Sequence, residues 1–317
     1  MSKKLNQLLK FINKKLTILF EKTEWLQKKY KKTASSRYGR LIRMDSYHVY
    51  PMLFLPPLWA IWMAGASGEI GSKITLSLIF ILGAFITRSI GCIINDIADI
   101  KFDKQVERTK LRPLISGEVS IAEAIGLAGT MTVMAVIILL SLPERVIYVG
   151  IAAAIMIVIY PFSKRFTNVP QVVLGFTFNL GVLIAWLTVT NSYYFQMLVL
   201  YITSAILTIA YDTVYACQDM QDDEATGIKS FPIFIKSQGR EIKPVIWHLY
   251  KVSMICLGIA GLGMGMGLGF YLALGAGGYI LYNNLEDCNL NIPSSCAQTF
   301  KKVNSFLFII FLGIVFN

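Results

Sequence analysis

Asn95, Asp96, Asp99 and Asp103 close a long apolar run, and Arg108, Lys110 and Arg112 follow at once. On a helix turning about 100° per residue, those four oxygen-bearing side chains share an arc of about 100°. A stripe of carboxylates and an amide at the edge of an apolar segment is a ligand set for a hard cation such as Mg2+. Helix capping would account for one such residue rather than four. A second acidic block, "YDTVYACQDMQDDEATGIKS", ends another apolar run at residues 211–230. Read as one helix, Asp212, Asp219 and Asp223 lie within about 40° of each other, with Asp222 close by. Cations stand beside both blocks: Lys164 and Arg165 in "YPFSKR", Lys229 after the second block, and Arg88 inside the run that leads to Asn95. Carboxylates that hold Mg2+, ringed by Arg and Lys, are what a diphosphate needs, since the metal neutralises some oxygens and the cations take the others. No GxxxxGK[ST] or GxGxxG stands near these charges, which argues against a nucleotide as their owner.

The elements that position these residues are membrane helices. The chain has 317 residues, 55% hydrophobic and 15% charged, against roughly 25% charged in soluble domains. Apolar stretches near the ~20 residues that cross a bilayer recur at 47–66, 74–94, 121–141, 146–162, 170–190, 194–216, 245–265, 268–282 and 303–316. The expected fold is all-α, a polytopic membrane protein with about nine transmembrane helices. The net charge of +11 lies wholly in residues 1–43, where thirteen Lys/Arg face Glu21 and Glu24. Such a run beside a first span sets orientation or binds anionic lipid rather than nucleic acid. Lys and Arg crowd the loops after the second, fourth, sixth and eighth spans, so both acidic blocks are expected on the positive side with the N-terminus. The duplication of an acid-ended span suggests two halves facing each other across a cavity. Pro56 and Pro57 are expected to kink the first span.

"NDIADIKFD" fits the NDxxDxxxD signature of the UbiA-type intramembrane prenyltransferases, and "ERTKLRPLISGEVS" resembles the segment that follows it. The second block resembles that family's other signature, in the form carried by the branch acting on 4-hydroxybenzoate in ubiquinone synthesis, and "YPFSKRFTNVPQVVLG" is similar to that branch too. The likeness runs from about residue 40 to the C-terminus. It implies helices around a central cavity and Mg2+-dependent transfer of a polyprenyl group from polyprenyl diphosphate to the ring of 4-hydroxybenzoate, in contact with membrane lipid. It implies Asn95, Asp96, Asp99, Asp103, Asp219 and Asp223 as the metal–diphosphate set, with Asp99, Asp103, Asp219 and Asp223 central to catalysis. Arg112, Lys164, Arg165, Tyr215 and Lys229 would bind substrate, and Arg43 would lie near the aromatic acid. One departure stands beside Arg43: the family continues with a basic residue, proline and glycine, where this chain has "SYHVYP" from Ser46 to Pro51.

Related transferases act on homogentisate, a naphthoate, haem or chlorophyllide, but the form of the second signature favours 4-hydroxybenzoate. A cation-coupled transporter would also place acids on two repeats, yet it would want charges near the midplane rather than crowded on one surface. The Gly- and Met-rich "GLGMGMGLG" is expected to wall a dry cavity or to serve helix packing. His48 and His248 read as packed or interfacial side chains. Five cysteines without CxxC spacing make a zinc site unexpected, and Cys288 and Cys296, close enough to pair, fall on the side where thiols stay reduced. Two regions are expected: a basic N-terminal segment over 1–43 and a catalytic domain over 44–317. In the former, Leu5, Leu8, Leu9, Ile12, Leu16 and Leu19 recur at helical spacing, as in a transit peptide or a lipid-binding surface helix. The location implied is the mitochondrial inner membrane with the active face to the matrix, the alternative being a bacterial plasma membrane.

Overall fold

A computed structural model describes residues 32–65, 68–104 and 109–317. The expected amphipathic helix of residues 5–19 and the cation Arg108 lie outside the described residues. Within them the chain is all helix, with no strand. Backbone in a bilayer has no water to bond, so apolar runs of this length satisfy their own N–H and C=O groups as helices. Nine helices of fifteen residues or more are described: α1 Tyr50–Ala64, α2 Ile70–Ala98, α3 Ile121–Leu140, α4 Arg145–Ile159, α5 Pro170–Thr190, α6 Phe195–Ala216, α7 Ile242–Gly263, α8 Leu268–Glu286 and α9 Pro293–Val315.

Each falls on one of the nine apolar stretches, but only seven are long and apolar enough to span a membrane by themselves. The first stretch yields just 15 residues of α-helix, about 22 Å, preceded by a 3-10 turn over Met44–Val49. The eighth, α8, is the other helix outside the seven. Helix α4 continues through a 3-10 turn at Tyr160–Phe162 into Ser163–Phe166, which makes one 22-residue span.

Local signals set the ends. Ser120 caps α3 in a capping box: its hydroxyl accepts from the Glu123 N–H while Glu123 accepts from the Ser120 N–H. Proline opens α5 and α9, and Asn191 closes α5 in the left-handed conformation. The run "GLGMGMGLG" lines neither of the two chambers described below. It ends α7 at Gly263 and turns the chain through Gly265 at φ 67° into α8.

Successive helices are neighbours, α9 returns to α1, and two braces cross the ring, α1 on α5 and α6 on α9. The braces divide the molecule unequally. The half built from α5 to α9 with α1 is packed solid around Trp59, Trp186, Tyr250, Phe270 and Phe306, all essentially buried. Because lipid tails are as apolar as leucine, close packing and polar contacts hold such helices together. The Asn179 amide donates to Thr208 Oγ1 at 2.8 Å between α5 and α6, and Trp59 Nε1 donates to the Leu307 carbonyl at 3.3 Å between α1 and α9. Gly175 lets α5 approach α6 so closely that a Cβ there would sit 2.7 Å from the Ala205 carbonyl oxygen.

The other half, α1 to α5, is hollow. Only Ala124 of α3 and Val146 of α4 are buried, and the two helices touch each other lightly. Their outer faces carry exposed Ile125, Val133, Ile137, Tyr148, Ile151 and Ile155, a surface suited to lipid.

Candidate active site

Two chambers open at the ends of α2, α4 and α6. The larger, about 740 Å³, lies within the hollow half. Its deep wall is apolar, with Phe80, Leu139, Ile157 and Leu180, while Arg43, Arg88, Asp96 and Arg112 line its mouth. The smaller, about 360 Å³, is polar: Asn95, Asp99, Asp103, Asp219, Asp222 and Asp223 face Lys164, Arg165 and Lys229 around it. The chambers share Asn95, Arg112, Tyr160, Asp212 and Tyr215.

The first acidic block does not stay on one unbroken helix. Asp99 closes α2, its N–H bonded to the Asn95 carbonyl, and a further turn, Ile100–Asp103, carries Asp103 into the polar chamber. Arg165 reaches back from the end of α4, donating to the Ala98 carbonyl at 2.8 Å and standing 3.6 Å from Asp99. Burial pushes the Asp99 carboxyl up from the ordinary carboxylate range; Lys164 opposes the shift and Asp103 adds to it.

Asp96 parts from the set. Fully buried, it accepts from Arg43 at 2.5 Å and from Arg112 at 3.2 Å, both on Oδ1, and it lines the large cavity rather than the polar chamber. Its Oδ2 is buried without a partner. Arg112 also pairs with Asp103, so one guanidinium joins the two chambers. Arg43, the residue expected near an aromatic acid, does line the large cavity.

The second block breaks as well. Helix α6 ends at Ala216, and Asp219 starts a new short helix, Met220–Thr226, ended by Gly227 at φ 70°. The break turns Asp219, Asp222 and Asp223 into the polar chamber beside Asp212 of α6. Gln171 of α5 accepts from the Phe231 N–H at 2.9 Å and anchors the segment that carries Lys229. Tyr215 packs on Phe300 of α9 with ring centroids 4.8 Å apart.

Of the residues singled out in the sequence, Asn95, Asp99, Asp103, Arg112, Lys164, Arg165, Tyr215, Asp219, Asp223 and Lys229 line one chamber, while Asp96 and Arg43 lie on the other side of the shared wall. Sequence reasoning placed Asp212 on the second acidic stripe without giving it a role and passed over Tyr160 in "YPF", although both border the two chambers. Arg88 donates to the Arg43 carbonyl at 3.2 Å and lies 4.5 Å over the Tyr50 ring, which answers the cost of its charge within a span. All five cysteines are free thiols.

The donor chemistry fits a magnesium ion. Carboxylate and amide oxygens surround the polar chamber, with no thiol or imidazole among its lining. Among the described residues no three acidic, His or Cys side chains form a ready cage. That suits Mg2+, which usually takes one or two carboxylates and fills its shell with phosphate oxygens and water.

Residues 53–312 match the UbiA prenyltransferase family. The chain is 35% identical over 263 residues to a 4-hydroxybenzoate octaprenyltransferase of Legionella pneumophila (strain Paris), covering 83% of this chain and 91% of that one. It is 36% identical over 282 residues to a mitochondrial 4-hydroxybenzoate polyprenyltransferase of Caenorhabditis elegans, covering 88% and 77%. The fold is similar to that of a UbiA homologue from Aeropyrum pernix K1, with a TM-score of 0.68 at 18% identity over 84% of this chain and 97% of that one. It is also similar to a UbiA homologue from Archaeoglobus fulgidus bound to GPP and Mg2+, with a TM-score of 0.62 at 17% identity over 89% and 100%.

Proposed function

We infer the reaction from one premise: the chain belongs to the UbiA prenyltransferase family. It is an aromatic prenyltransferase of the membrane, moving a polyprenyl group from polyprenyl diphosphate to the ring of 4-hydroxybenzoate in ubiquinone biosynthesis. One observation carries the mechanism: a polar, cation-ringed chamber and a long apolar cavity share a wall. An allylic diphosphate has that same division, a charged head on a greasy tail.

Lys164, Arg165, Lys229 and Arg112 would receive the diphosphate oxygens, and Asn95, Asp99, Asp103, Asp219 and Asp223 would hold Mg2+. When bound, the metal neutralises charge that builds on the departing diphosphate. The allylic C–O bond breaks with its electron pair going to the diphosphate. The carbon left behind lies by the shared wall, which Tyr160 and Tyr215 line, and aromatic rings near such a carbon stabilise positive charge. The apolar cavity holds the tail and keeps water from the cation. A ring carbon of the phenol then forms the new C–C bond, and its displaced proton passes to Asp212 on the shared wall or to the released diphosphate. Arg43 and Arg88 supply the positive mouth that a ring carboxylate would meet.

The purified protein, given Mg2+, a polyprenyl diphosphate and a panel of aromatic acids, should yield prenylated 4-hydroxybenzoate and one equivalent of diphosphate. Alkylation of homogentisate or a naphthoate with 4-hydroxybenzoate untouched would overturn the assignment. The location follows from the same chemistry and from the basic, helix-spaced segment before Arg43: the mitochondrial inner membrane, with the chambers open to the matrix and residues 1–43 a separate leader region. Relatives of both mitochondrial and bacterial origin leave a bacterial plasma membrane as the alternative. Residues 1–43 fused to a fluorescent reporter in a eukaryotic cell should carry it to mitochondria, and a diffuse cytosolic signal would count against import.

A further inference from the structure

Ser46, His48 and Val49, in the stretch from Ser46 to Pro51 where the sequence departs from its family, line the large cavity beside Arg43 and Asp45. Arg43 takes a left-handed φ of 59°, a costly conformation for a residue with a Cβ, and Ser46 breaks the 3-10 turn at φ −97°, ψ 47°. Such backbone persists only where its surroundings hold it, and here two helices do. From α2, Arg88 donates to the Arg43 carbonyl at 3.2 Å, and Asp96 accepts from the Arg43 side chain. From α9, the Asn304 amide donates to the His48 carbonyl at 2.7 Å. The ties fix the main chain on either side of Ser46 and leave the His48 ring on the cavity wall.

What that wall presents is suited to a small polar aromatic. The His48 ring meets Phe300 edge-on, with centroids 6.1 Å apart at 90°, and Phe300 in turn packs on Tyr215 at the boundary with the phosphate chamber. A continuous aromatic surface therefore runs from the Arg43–Arg88 mouth to the wall where the allylic carbon is released. Aromatic rings stack offset or edge-on against such a surface. Burial, with Lys301 and Arg88 acting in the same direction, pushes the His48 imidazole down to about 4. A neutral imidazole both donates and accepts, so it can meet a hydroxyl or a carboxylate oxygen without adding a charge.

We propose that His48 is a specificity-determining residue for the aromatic acceptor, its imidazole bonding a polar substituent of the ring that packs against Phe300. The proposal rests on the aromatic-acceptor reading above and assigns the part of that site which the family signature leaves open. Without His48 the acceptor keeps its arginines and its aromatic floor but loses one polar contact, and the diphosphate keeps everything.

The test separates the two substrates. Full-length protein in lipid nanodiscs is assayed with polyprenyl diphosphate, Mg2+ and 4-hydroxybenzoate, and KM is measured for each substrate in turn. His48→Phe keeps the bulk and the edge contact but no hydrogen bond, while His48→Gln keeps a donor and an acceptor. His48→Phe should raise KM for 4-hydroxybenzoate about tenfold, the scale of one hydrogen bond, with KM for the diphosphate within about twofold, and His48→Gln should recover most of the loss. A matching rise in both KM values would make the residue a structural support only, and an unchanged acceptor KM in His48→Phe would remove its role; either result overturns the proposal. If His48→Phe fails to fold, His48→Gln decides: an acceptor KM near wild type beside weaker use of 4-aminobenzoate supports it, and an unaltered acceptor ranking refutes it. Failure of the underlying reading looks different, because the wild-type protein would then not prenylate 4-hydroxybenzoate at all.

Discussion

Replacing Asp96 with Asn tests whether the first acidic block acts as one ligand set or is divided between two jobs. The side chain is 1% exposed and carries two guanidinium groups on one oxygen, those of Arg43 and Arg112, whose side chains are 19% and 20% exposed. Breaking a buried pair by removing one partner costs about 3–5 kcal/mol when the remaining charge has nowhere to turn. Arg112 keeps Asp103, and both arginines are partly open to solvent, so the cost here falls to about 2 kcal/mol and is borne chiefly by Arg43. Two readouts should move together. The apparent melting temperature in nanodiscs should drop by several degrees, and KM for the aromatic acceptor should rise as Arg43 loses its anchor. The Mg2+ dependence of the rate should stay near wild type, because Asp96 does not line the polar chamber. Asp99→Asn is the control with the opposite signature, normal melting and a much weaker Mg2+ response. An Asp96→Asn protein that melts normally but needs about tenfold more Mg2+ would refute the division and return Asp96 to the metal set.

Asp99→Ala and Asp219→Ala should each lower turnover at least about a hundredfold while the protein still inserts and folds, and chelator should abolish the wild-type activity until Mg2+ is restored. Burial raises the Asp99 pKa, so its charged form is lost at a higher pH than for an ordinary carboxylate, and the acid limb of the kcat/KM profile should lie correspondingly high. Lys164 opposes that rise, so Lys164→Met should move the limb to still higher pH, whatever it does to the rate; a limb that stays put would exclude Asp99 as the titrating group. Gly175→Ala would set a Cβ 2.7 Å from the Ala205 carbonyl oxygen and 2.8 Å from Ile209, forcing α5 from α6 at roughly 1–3 kcal/mol, read as a lowered melting temperature. Thiols introduced at Lys104 and Lys229 should label from the same side of the membrane, and labelling from opposite sides would contradict a single site.

The helices were legible because lipid leaves few other options. Apolar runs such as 121–141 and 170–190 return as helices Ile121–Leu140 and Pro170–Thr190, with a capping serine or an opening proline at the residue where polarity changes. The convergence of the two acidic blocks was equally legible: Asp99, Asp103, Asp219 and Asp223 all line the polar chamber. Which way each side chain turns was not. Asp96 belongs by spacing with its neighbours, yet an arginine 53 residues upstream claims it. The break between Ala216 and Asp219 carries no proline or glycine to announce it, and only the short helix that follows brings Asp219 and Asp223 beside Asp99. "GLGMGMGLG" was ambiguous because glycine serves helix contacts and helix ends alike, and it does both: Gly261 leaves room for the Phe270 ring of α8, while left-handed Gly265 makes the turn. His48 read as a packed or interfacial side chain, and its ring does pack edge-on against Phe300 while Asn304 holds its carbonyl, two neighbours far away in the sequence that spacing could not name.

The thin wall made by α3 and α4 has a kinetic consequence. One layer of lightly joined helices walls the apolar cavity on that side, and most outward side chains on that layer are apolar. A substrate with a polyprenyl tail is already dissolved in the bilayer, so the quantity the protein samples is its mole fraction among the surrounding lipids, not its molarity in the tube. Adding inert lipid at fixed total substrate should therefore slow the reaction as if substrate had been removed. Diluting the whole suspension with buffer should leave the rate per enzyme unchanged for the tailed substrate, while saturation by the water-borne aromatic acid falls in the ordinary way.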